Sequence, residues 1–259
     1  MFAKFHQKLR VRKFLNLASY ALIFLRNEVA SWPRLLAVDE LLQYRRVLVL
    51  APHPDDEVFG MGGTLSLLMR RNVALQITWF TCGDNAVRVG EAKAALTCLG
   101  IPQSDSAAFP IASASVPLGK AAQVIQREVA LFHPDLICVP SVFDPHQDHV
   151  RVNLALSQAI SSMTWHGAVL QYEVWNSLVP NVLIDISTVI EEKDKLMRLY
   201  RSQLDEVKRC YPERIRALNS YRGLVHQVDF AEGFILSSSD EFMQIKRNGK
   251  GYPKGLRAN

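Results

Sequence analysis

The chain has 259 residues, of which 49% are apolar and 21% are charged. This composition is typical of one large globular domain, and it excludes a disordered chain, a collagen-like repeat and a small disulfide-stabilised domain. The net charge of +5 comes from residues 1–46, with nine basic and three acidic residues, so the balanced remainder (21 basic, 22 acidic) lacks the basic excess expected of a nucleic-acid-binding domain.

Residues 1–45 are predicted to form a basic, amphipathic helical segment. Polar residues recur every four positions from Lys4 to Asn16, opposite an apolar side. The most apolar stretch, residues 14–25, is shorter than the ~20 residues that span a bilayer. Two interpretations stay open: the helix packs on its own domain, or residues 1–25 make a peripheral contact with an anionic membrane. A cleaved signal peptide is disfavoured, because an acidic residue occupies position −3 of the best cleavage site.

From residue 46 onward, short apolar runs alternate with amphipathic segments. Strands are predicted at residues 46–51, 73–81, 107–111, 135–140, 169–175 and 182–186. Helices are predicted at residues 60–71, 86–99, 120–132, 148–161 and 190–204. This order predicts an α/β fold with a Rossmann-like, doubly wound, mainly parallel sheet and helices on both faces. We expect residues 46–259 to form one domain that follows the N-terminal segment.

The four cysteines are widely spaced and include no Cys-x-x-Cys pair. They predict reduced thiols in a cytoplasmic protein, and they do not indicate a disulfide framework or a cysteine zinc site. The basic N-terminal segment adds the alternative of association with the inner face of a membrane.

Two polar segments follow two of the predicted buried strands. The first is Pro-His-Pro-Asp-Asp-Glu at residues 52–57, and the second is Asp-Pro-His-Gln-Asp-His at residues 144–149. Open α/β sheets bind ligands at the carboxyl ends of their strands, and the first and fourth strands of a doubly wound sheet are commonly neighbours. We therefore expect the two segments to face each other across one crevice.

The imidazoles and carboxylates of these segments form a nitrogen and oxygen ligand set suited to zinc or another divalent metal. Catalytic zinc usually takes three protein ligands and keeps one position for water. Because the two segments contain more than three candidate ligands, the remaining groups can take other roles in catalysis. A carboxylate beside the metal can act as a general base, and a histidine held by an aspartate can stabilise charge on a substrate oxygen.

The two segments resemble the PHPDDE and HxDH signatures of the PIG-L/LmbE family of zinc-dependent de-N-acetylases. The resemblance extends in order over about residues 46–236. Three further elements support it, namely the Arg/Glu helix from Arg88, the YE…DIS segment from Tyr172 and the AExF element from Ala231.

The resemblance implies that His53, Asp56 and His149 bind the metal, which is zinc in the family, with ferrous iron or another divalent ion as alternatives. It implies that Asp55 is the base that deprotonates the metal-bound water and later protonates the leaving amine.

The resemblance also implies that His146 stabilises the tetrahedral oxyanion, with Asp148 orienting and charging it. Arg88 is implied to bind the substrate sugar or its aglycone. One departure concerns Asp144, which stands where some members of the family have a tyrosine near the site.

The family removes acetate from N-acetylglucosamine-type groups, so the predicted function is metal-dependent N-deacetylation of an amino sugar. The alternatives are a metallo-hydrolase of another amide or ester and a catalytically silent, glycan-binding relative. The aglycone stays open among a lipid-linked sugar, a polysaccharide or lipopolysaccharide precursor and a small thiol-conjugated sugar.

Other polar residues near these motifs have simpler interpretations. We expect Glu57 to be structural, bonding backbone or a basic neighbour. Arg88 and Glu91 are spaced as a surface ion pair on one helix, which is the alternative to substrate binding. Glu232 either supports the site or is buried with an arginine such as Arg222. The glycines at residues 60–63 do not match GxGxxG, and they predict close packing of a helix on a strand.

Overall fold

The structure is a computed structural model that describes residues 33–103, 106–109, 116–207 and 211–247. Residues from Leu35 onward form one compact unit, and residues 1–34 are assigned to another. The predicted helix and membrane contact of residues 1–25 lie outside the described residues. Among the described helices, none is both long and apolar enough to cross a membrane.

The described strands form one sheet in the order β1-β7-β8-β6-β5-β2-β3-β4. The strands are β1 (Arg34–Leu36), β2 (Arg46–Ala51), β3 (Ala74–Trp79), β4 (Ser106–Ala108), β5 (Leu136–Pro140), β6 (Ala168–Tyr172), β7 (Val182–Asp185) and β8 (Ala231–Ser238). The pairs β2–β3, β2–β5, β3–β4 and β5–β6 are parallel. β8 runs antiparallel to both β6 and β7.

Helices connect these strands. The described helices are α1 (Val38–Leu41), α2 (Asp56–Arg70), α3 (Ala86–Leu99), α4 (Leu118–Phe132), α5 (Gln147–Ser161), α6 (Ile190–Met197), α7 (Arg201–Val207), α8 (Tyr211–Gly223) and α9 (Ser239–Arg247). Short 3-10 turns lie at Ser187–Val189 and Leu224–His226. α3 ends at Gly100, which adopts a left-handed conformation (φ 76°) that glycine accommodates without strain.

Apolar side chains cover both faces of the sheet. Along β2, Val47 and Val49 belong to one buried cluster, whereas Leu48 and Leu50 belong to another. Successive strand residues point to opposite faces, so a strand in the middle of this sheet is buried on both sides. The predicted doubly wound, mainly parallel α/β fold is therefore confirmed.

The structure has elements that the sequence did not predict, namely β1, α1, β8, α8 and α9, and it divides one predicted helix. The helix predicted at 190–204 is two helices, α6 and α7, because the chain turns at residues 198–200 and buries Tyr200 completely. No strand was predicted at β8, which inserts between β6 and β7. The predicted division at residue 45 stays a prediction, although Leu36 and Leu41 are already buried in the first core cluster.

The glycines of α2 allow close packing, as predicted. A Cβ added at Gly60 would lie 2.3 Å from Cδ2 of Tyr172, and one at Gly63 would lie 2.7 Å from Cγ2 of Ile186. Both distances are below van der Waals contact, so this helix could not approach the sheet as closely with larger residues. Its amino-terminal end is thereby held directly over the end of β2.

Candidate metal and active site

The first polar segment turns sharply between β2 and α2. Asp55 is in a positive-φ conformation (φ 138°), which is uncommon for a residue with a side chain and is typical of functional turns. Asp56 then begins α2. The side chains are withdrawn from solvent: His53, Asp55 and Asp56 are 7%, 8% and 3% exposed.

The second polar segment follows β5, the neighbour of β2. His146 caps α5, because its Nδ1 accepts a hydrogen bond from the backbone N–H of Asp148 at 3.2 Å. His149 lies in the first turn of α5 and is completely buried. The predicted adjacency of the two strands is confirmed, and it brings the two segments together.

The two segments converge on one carboxylate oxygen. Oδ2 of Asp56 lies 3.0 Å from Nδ1 of His53 and 3.2 Å from Nε2 of His149. The backbone N–H of His53 also donates to this oxygen at 2.8 Å. The ring centroids of the two histidines are 5.5 Å apart. Residues that are 96 positions apart in the chain therefore contact one buried carboxylate oxygen.

The charged groups of this cluster shift one another's pKa values. Burial would lower the pKa of His53, but the carboxylates of Asp56 and Asp148 outweigh it and raise this pKa to about 10. Burial likewise opposes protonation of His149, yet Asp56 and Asp144 raise its pKa to about 9. Burial would raise the pKa of Asp56, but the two imidazoles lower it. The carboxylates thus make the cluster attractive to positive charge.

His53, Asp56 and His149 have the chemistry and spacing of metal ligands. Ligands of one tetrahedral ion lie about 3.3 Å apart when the metal bonds are 2.0–2.1 Å long, close to the two distances measured at Asp56. Both ring nitrogens of His149 are buried, and neither makes a hydrogen bond of acceptable geometry. A cation between Nε2 of His149 and the Asp56 carboxylate would satisfy both groups, taking the place of the proton that the raised pKa of His149 favours.

His146 differs from the other two imidazoles. Ligand atoms of His53, His146 and His149 lie within 4.8 Å of one another, so three histidines form the alternative ligand set. However, Nδ1 of His146 accepts a hydrogen bond, and burial and the two neighbouring imidazoles lower its pKa. We infer that neutral His146 carries its proton on Nε2 and is a hydrogen-bond donor at that atom.

Asp148 lies between the two segments. Its Oδ2 is 3.1 Å from Nε2 of His53, and its backbone N–H holds His146. The contact with His146 is therefore made by the backbone, whereas the carboxylate faces His53. Its predicted role in orienting and charging His146 stays a prediction.

Asp55 and Arg88 form the other side of the cavity. Their side chains approach to 3.5 Å, and Arg88 also donates to the carbonyl oxygen of Pro54 at 3.4 Å. Burial and the neighbouring Asp56 raise the pKa of Asp55, against the opposing charge of Arg88. Glu91 accepts hydrogen bonds from Ser202 instead, so Arg88 and Glu91 bind different partners.

The sequence did not reveal that Asp144 supports both histidines of the second segment. Its Oδ2 lies 3.1 Å from Nδ1 of His149, and its Oδ1 accepts from the backbone N–H of His146 at 2.9 Å. Oδ2 also accepts from the backbone N–H of Trp175 at 3.0 Å. A carboxylate on the far nitrogen of a histidine leaves its other nitrogen free as a ligand. The acidic residue two positions before His146 was the available signal.

Glu57 is a buried support for the first segment, as predicted, but aromatic donors replace the expected basic neighbour. Trp79 Nε1–H donates to it at 3.0 Å and the Tyr200 hydroxyl at 2.7 Å. The backbone N–H of Asp55 also donates to it at 3.3 Å. Burial raises the pKa of Glu57, and the two aromatic donors oppose this rise.

Glu232 lies beneath α2 and pairs with Lys193, whereas Arg222 pairs with Glu173. Among the described residues, the charged partner of Glu232 is therefore a lysine, and not the arginine that was one of the two expectations.

The cavity combines the polar cluster with an aromatic and aliphatic wall. Its described lining is His53, Asp55, Asp56, Phe59, Arg88, His146, Val174, Trp175, Gln203, Tyr211 and Ile215. Concave sites with a few convergent polar groups in an apolar wall are typical of small-molecule binding.

Comparison with known proteins supports the interpretation of the two polar motifs. Residues 48–160 match the family model of the PIG-L, or GlcNAc-PI, de-N-acetylases. A diacetylchitobiose deacetylase from Thermococcus kodakarensis is 24% identical over 225 residues, which cover 73% of this chain and 82% of that protein. A probable N-acetyl-alpha-D-glucosaminyl L-malate deacetylase from Bacillus anthracis is 24% identical over 201 residues, covering 66% and 88%.

Among solved structures, an N,N'-diacetylchitobiose deacetylase from Pyrococcus horikoshii superposes with a TM-score of 0.70 at 20% identity. The match covers 86% of this chain and 94% of that one, and it shows a common fold. The matched segment contains both polar motifs and the two neighbouring strands that carry them. The chain is therefore similar to the PIG-L de-N-acetylases over the segment that carries both motifs.

Proposed function

We propose that this protein is a metal-dependent hydrolase that removes the acetyl group from an N-acetylglucosamine-type sugar. The observation that carries the proposal is the convergence of His53 and His149 on Oδ2 of Asp56, with Asp55 adjacent in the same cavity. The two similar proteins described above are named as deacetylases of diacetylchitobiose and of N-acetyl-alpha-D-glucosaminyl L-malate.

His53, Asp56 and His149 would hold the metal, with zinc as the proposed ion. A bound divalent ion supplies Lewis-acid polarisation of the amide carbonyl and lowers the pKa of water at the site. Asp144 would keep the ring of His149 in the orientation that presents Nε2.

Asp55 is proposed as the general base. Its raised pKa suits a carboxylate that must first take a proton from water and then give it to the departing amine. Arg88, 3.5 Å away, limits this rise and keeps the carboxylate available as a base. The amide C–N bond breaks, and the products are acetate and the free amino sugar.

His146 is proposed to stabilise the carbonyl oxygen as that oxygen gains negative charge. Its Nε2–H is the donor, since Nδ1 is already occupied by the backbone of Asp148. Preorganised donors of this kind contribute about 3–4 kcal/mol to transition-state stabilisation in other acyl-transfer enzymes.

The acetylated sugar is a small-molecule or lipid-linked substrate in this proposal. The cytoplasmic location and the membrane contact of residues 1–25 stay predictions.

The test is acetate and amine release from a panel of N-acetylglucosaminides, together with metal analysis of each variant. Asp55→Asn is expected to lower kcat by roughly 10²–10⁴-fold, because general acid–base catalysis is lost, while metal content stays unchanged. The matched control is Asp240→Asn, an exposed aspartate of α9, which should retain full activity.

Unchanged turnover in Asp55→Asn would refute the base assignment. Release of acetate from other amides or esters, with none from the sugars, would favour the broader hydrolase alternative. Binding of the sugars without any acetate release by the wild-type protein would favour the silent glycan-binding alternative.

A further inference from the structure

The segment that follows β6 lies against the segment that carries the second polar motif. We call residues 173–178 the β6 loop and residues 141–146 the β5 loop. The backbone N–H of Ser141 donates to the carbonyl oxygen of the last residue of β6 at 2.8 Å. The side-chain amide of Asn176 donates to the carbonyl oxygen of Phe143 at 3.3 Å. Hydrogen bonds therefore join the β5 loop both to β6 and to the β6 loop.

The contact of the β6 loop that lies nearest to the metal ligands joins Trp175 to Asp144. The backbone N–H of Trp175 donates to Oδ2 of Asp144 at 3.0 Å. The same oxygen lies 3.1 Å from Nδ1 of His149. Groups that hold the far nitrogen of a ligating imidazole set the orientation of its ring. A displacement of the β6 loop would therefore move the carboxylate that orients His149.

A buried ion pair closes the β6 loop. Oε1 of Glu173 accepts hydrogen bonds from the backbone N–H of Leu178, at 2.8 Å, and from Nη2 of Arg222. Nη2 of Arg222 also donates to the carbonyl oxygen of Leu178 at 2.6 Å. One guanidinium therefore binds the first and the last residue of the loop. We call Arg222 and Glu173 the loop clamp.

The loop clamp is built into the fold and lies outside the cavity. The side chains of Arg222 and Glu173 are 12% and 6% exposed, so water and salt screen their attraction only weakly. A Cβ added at Gly233 of β8 would lie 3.1 Å from Nε of Arg222 and 3.2 Å from Oε2 of Glu173. Neither clamp residue belongs to the described lining of the cavity, whereas Trp175 does. The clamp therefore acts on the site through the β6 loop.

We propose that Arg222 and Glu173 are positioning residues of the metal site, which act through the β6 loop on Asp144 and thereby on His149. This inference rests on the proposed function, and it adds a support that touches neither the metal nor the substrate. Each step of this path is a hydrogen bond or a close polar contact. Loss of the clamp should therefore weaken zinc binding.

The test measures the zinc affinity of Arg222→Met by competition with a chromophoric chelator. The affinity is expected to fall roughly 3–30-fold, because coupling through packed contacts is smaller than the loss of a direct support. The matched control is Arg216→Met on the same helix, α8, where Arg216 pairs with Glu191 and Asp194 of α6. Its zinc affinity should stay within about twofold of the wild type. Equal losses in the two variants would overturn the clamp.

A double variant separates the clamp from a general loss of stability. Arg222→Met leaves Glu173 buried without its counter-charge, which destabilises the fold. Glu173→Gln combined with Arg222→Met removes both charges and keeps a side-chain oxygen that can accept from the N–H of Leu178. The double variant should lose a similar share of zinc affinity. Wild-type affinity in the double variant would assign the loss to the unpaired charge and overturn the clamp.

The route through Asp144 is tested in a double-mutant cycle. In protein that already carries Asp144→Asn, the carboxylate that faces His149 is gone. Adding Arg222→Met should then weaken zinc binding by less than half of its effect in the wild-type protein, on a logarithmic scale, because the two residues act on one path. A residue that only stabilises the fold would give additive losses. Additive losses would therefore overturn the route.

Acetate release from N-acetylglucosaminides is measured in parallel, because zinc affinity does not require turnover. Zinc affinities in the predicted order, in a protein that releases no acetate from any of the sugars, would refute the proposed function and leave the clamp standing. Acetate release by the wild-type protein, with unchanged zinc affinity in Arg222→Met, would overturn the clamp and leave the proposed function standing.

Discussion

Two buried clusters of charged residues contact helix α2, one at its first residue and the other at Gly63 and Thr64, and they differ in how completely their groups are paired. The Glu232 cluster consists of Thr64, Lys193, Asn219 and Glu232. One oxygen of Glu232 accepts from the backbone N–H of Gly63 and from Lys193 Nζ, at 2.9 and 2.6 Å. The other accepts from the backbone and hydroxyl of Thr64, at 2.8 and 2.6 Å.

The metal-site cluster consists of His53, Asp56, Asp144 and His149. Its side-chain contacts are longer, at 3.0, 3.2 and 3.1 Å, and both nitrogens of buried His149 lack a hydrogen bond of acceptable geometry. A helix break at Met61 (φ −142°, ψ 25°) creates the orphan N–H groups that Glu232 satisfies, so that cluster is complete in the protein alone. The comparison indicates that a fully paired buried charge supports the fold, whereas an incompletely paired one marks a ligand site.

The largest expected effect concerns the paired cluster. Lys193→Met leaves Glu232 buried without its counter-charge, which costs about 3–5 kcal/mol of unfolding free energy. Chemical denaturation measures this loss. The matched control is Lys195→Met on the same helix, where the side chain is exposed and the change should stay within about 0.5 kcal/mol. Equal effects in the two variants would show that the Glu232 pair does not support the fold.

The metal-site cluster should respond to added metal. At a free zinc concentration about 100 times the dissociation constant, binding to the folded state adds about 2.7 kcal/mol of stability. Thermal unfolding of chelator-treated protein, with and without zinc, measures the gain. His149→Ala should lose this gain, while His166→Ala, an exposed histidine, should keep it. A full gain in His149→Ala would contradict the assigned ligand.

Asp144 should affect metal affinity as well as folding. Asp144→Asn replaces the carboxylate oxygen that faces Nδ1 of His149, and changes of this kind cost roughly 10–100-fold in metal affinity. A competition titration with a chromophoric chelator measures it. The chelator-treated variant should also unfold at a lower temperature, because Asp144 is buried and its two oxygens accept from the backbone N–H groups of His146 and Trp175. An unchanged affinity would remove Asp144 from the support of His149.

Cys138 on β5 gives the smallest effect, as a buried titratable group that carries no charge. Burial raises the pKa of its thiol, so the reactive thiolate is scarce. Cys98 is exposed and should react with a thiol reagent in the native protein. Mass spectrometry of labelled peptides should find Cys138 modified only after unfolding. Labelling of native Cys138 at the rate of Cys98 would show that β5 opens readily.

The sequence predicted most of the metal-site cluster, but it did not predict the residues that hold this cluster in place. The apolar runs of β2 and β5 predicted buried neighbouring strands, and the motifs at their ends placed His53 and His149 in one crevice. The partnership of Glu57 with Tyr200 joins residues 143 positions apart. No local pattern encodes such a contact, because it depends on how the turn between α6 and α7 packs against α2.

The sequence did not predict β8 for a similar reason. Its sequence, AEGFILSS, lacks the alternation of a half-buried strand, and only the sheet neighbours β6 and β7 select its extended form. Asp144 was visible as an acidic residue, but its role follows from the burial of His149 in the first turn of α5. These features depend on tertiary packing and therefore appear only in the folded structure.

The ligand assignment is tested by comparing zinc affinity in His146→Ala and His149→Ala after chelator treatment. We predict one zinc per chain in His146→Ala, with an affinity within about tenfold of the wild type, since its Nδ1 is occupied by backbone and it supplies no ligand. His149→Ala should lose the site. Equal loss of zinc in both variants would contradict the ligand set of His53, Asp56 and His149 and favour three histidines.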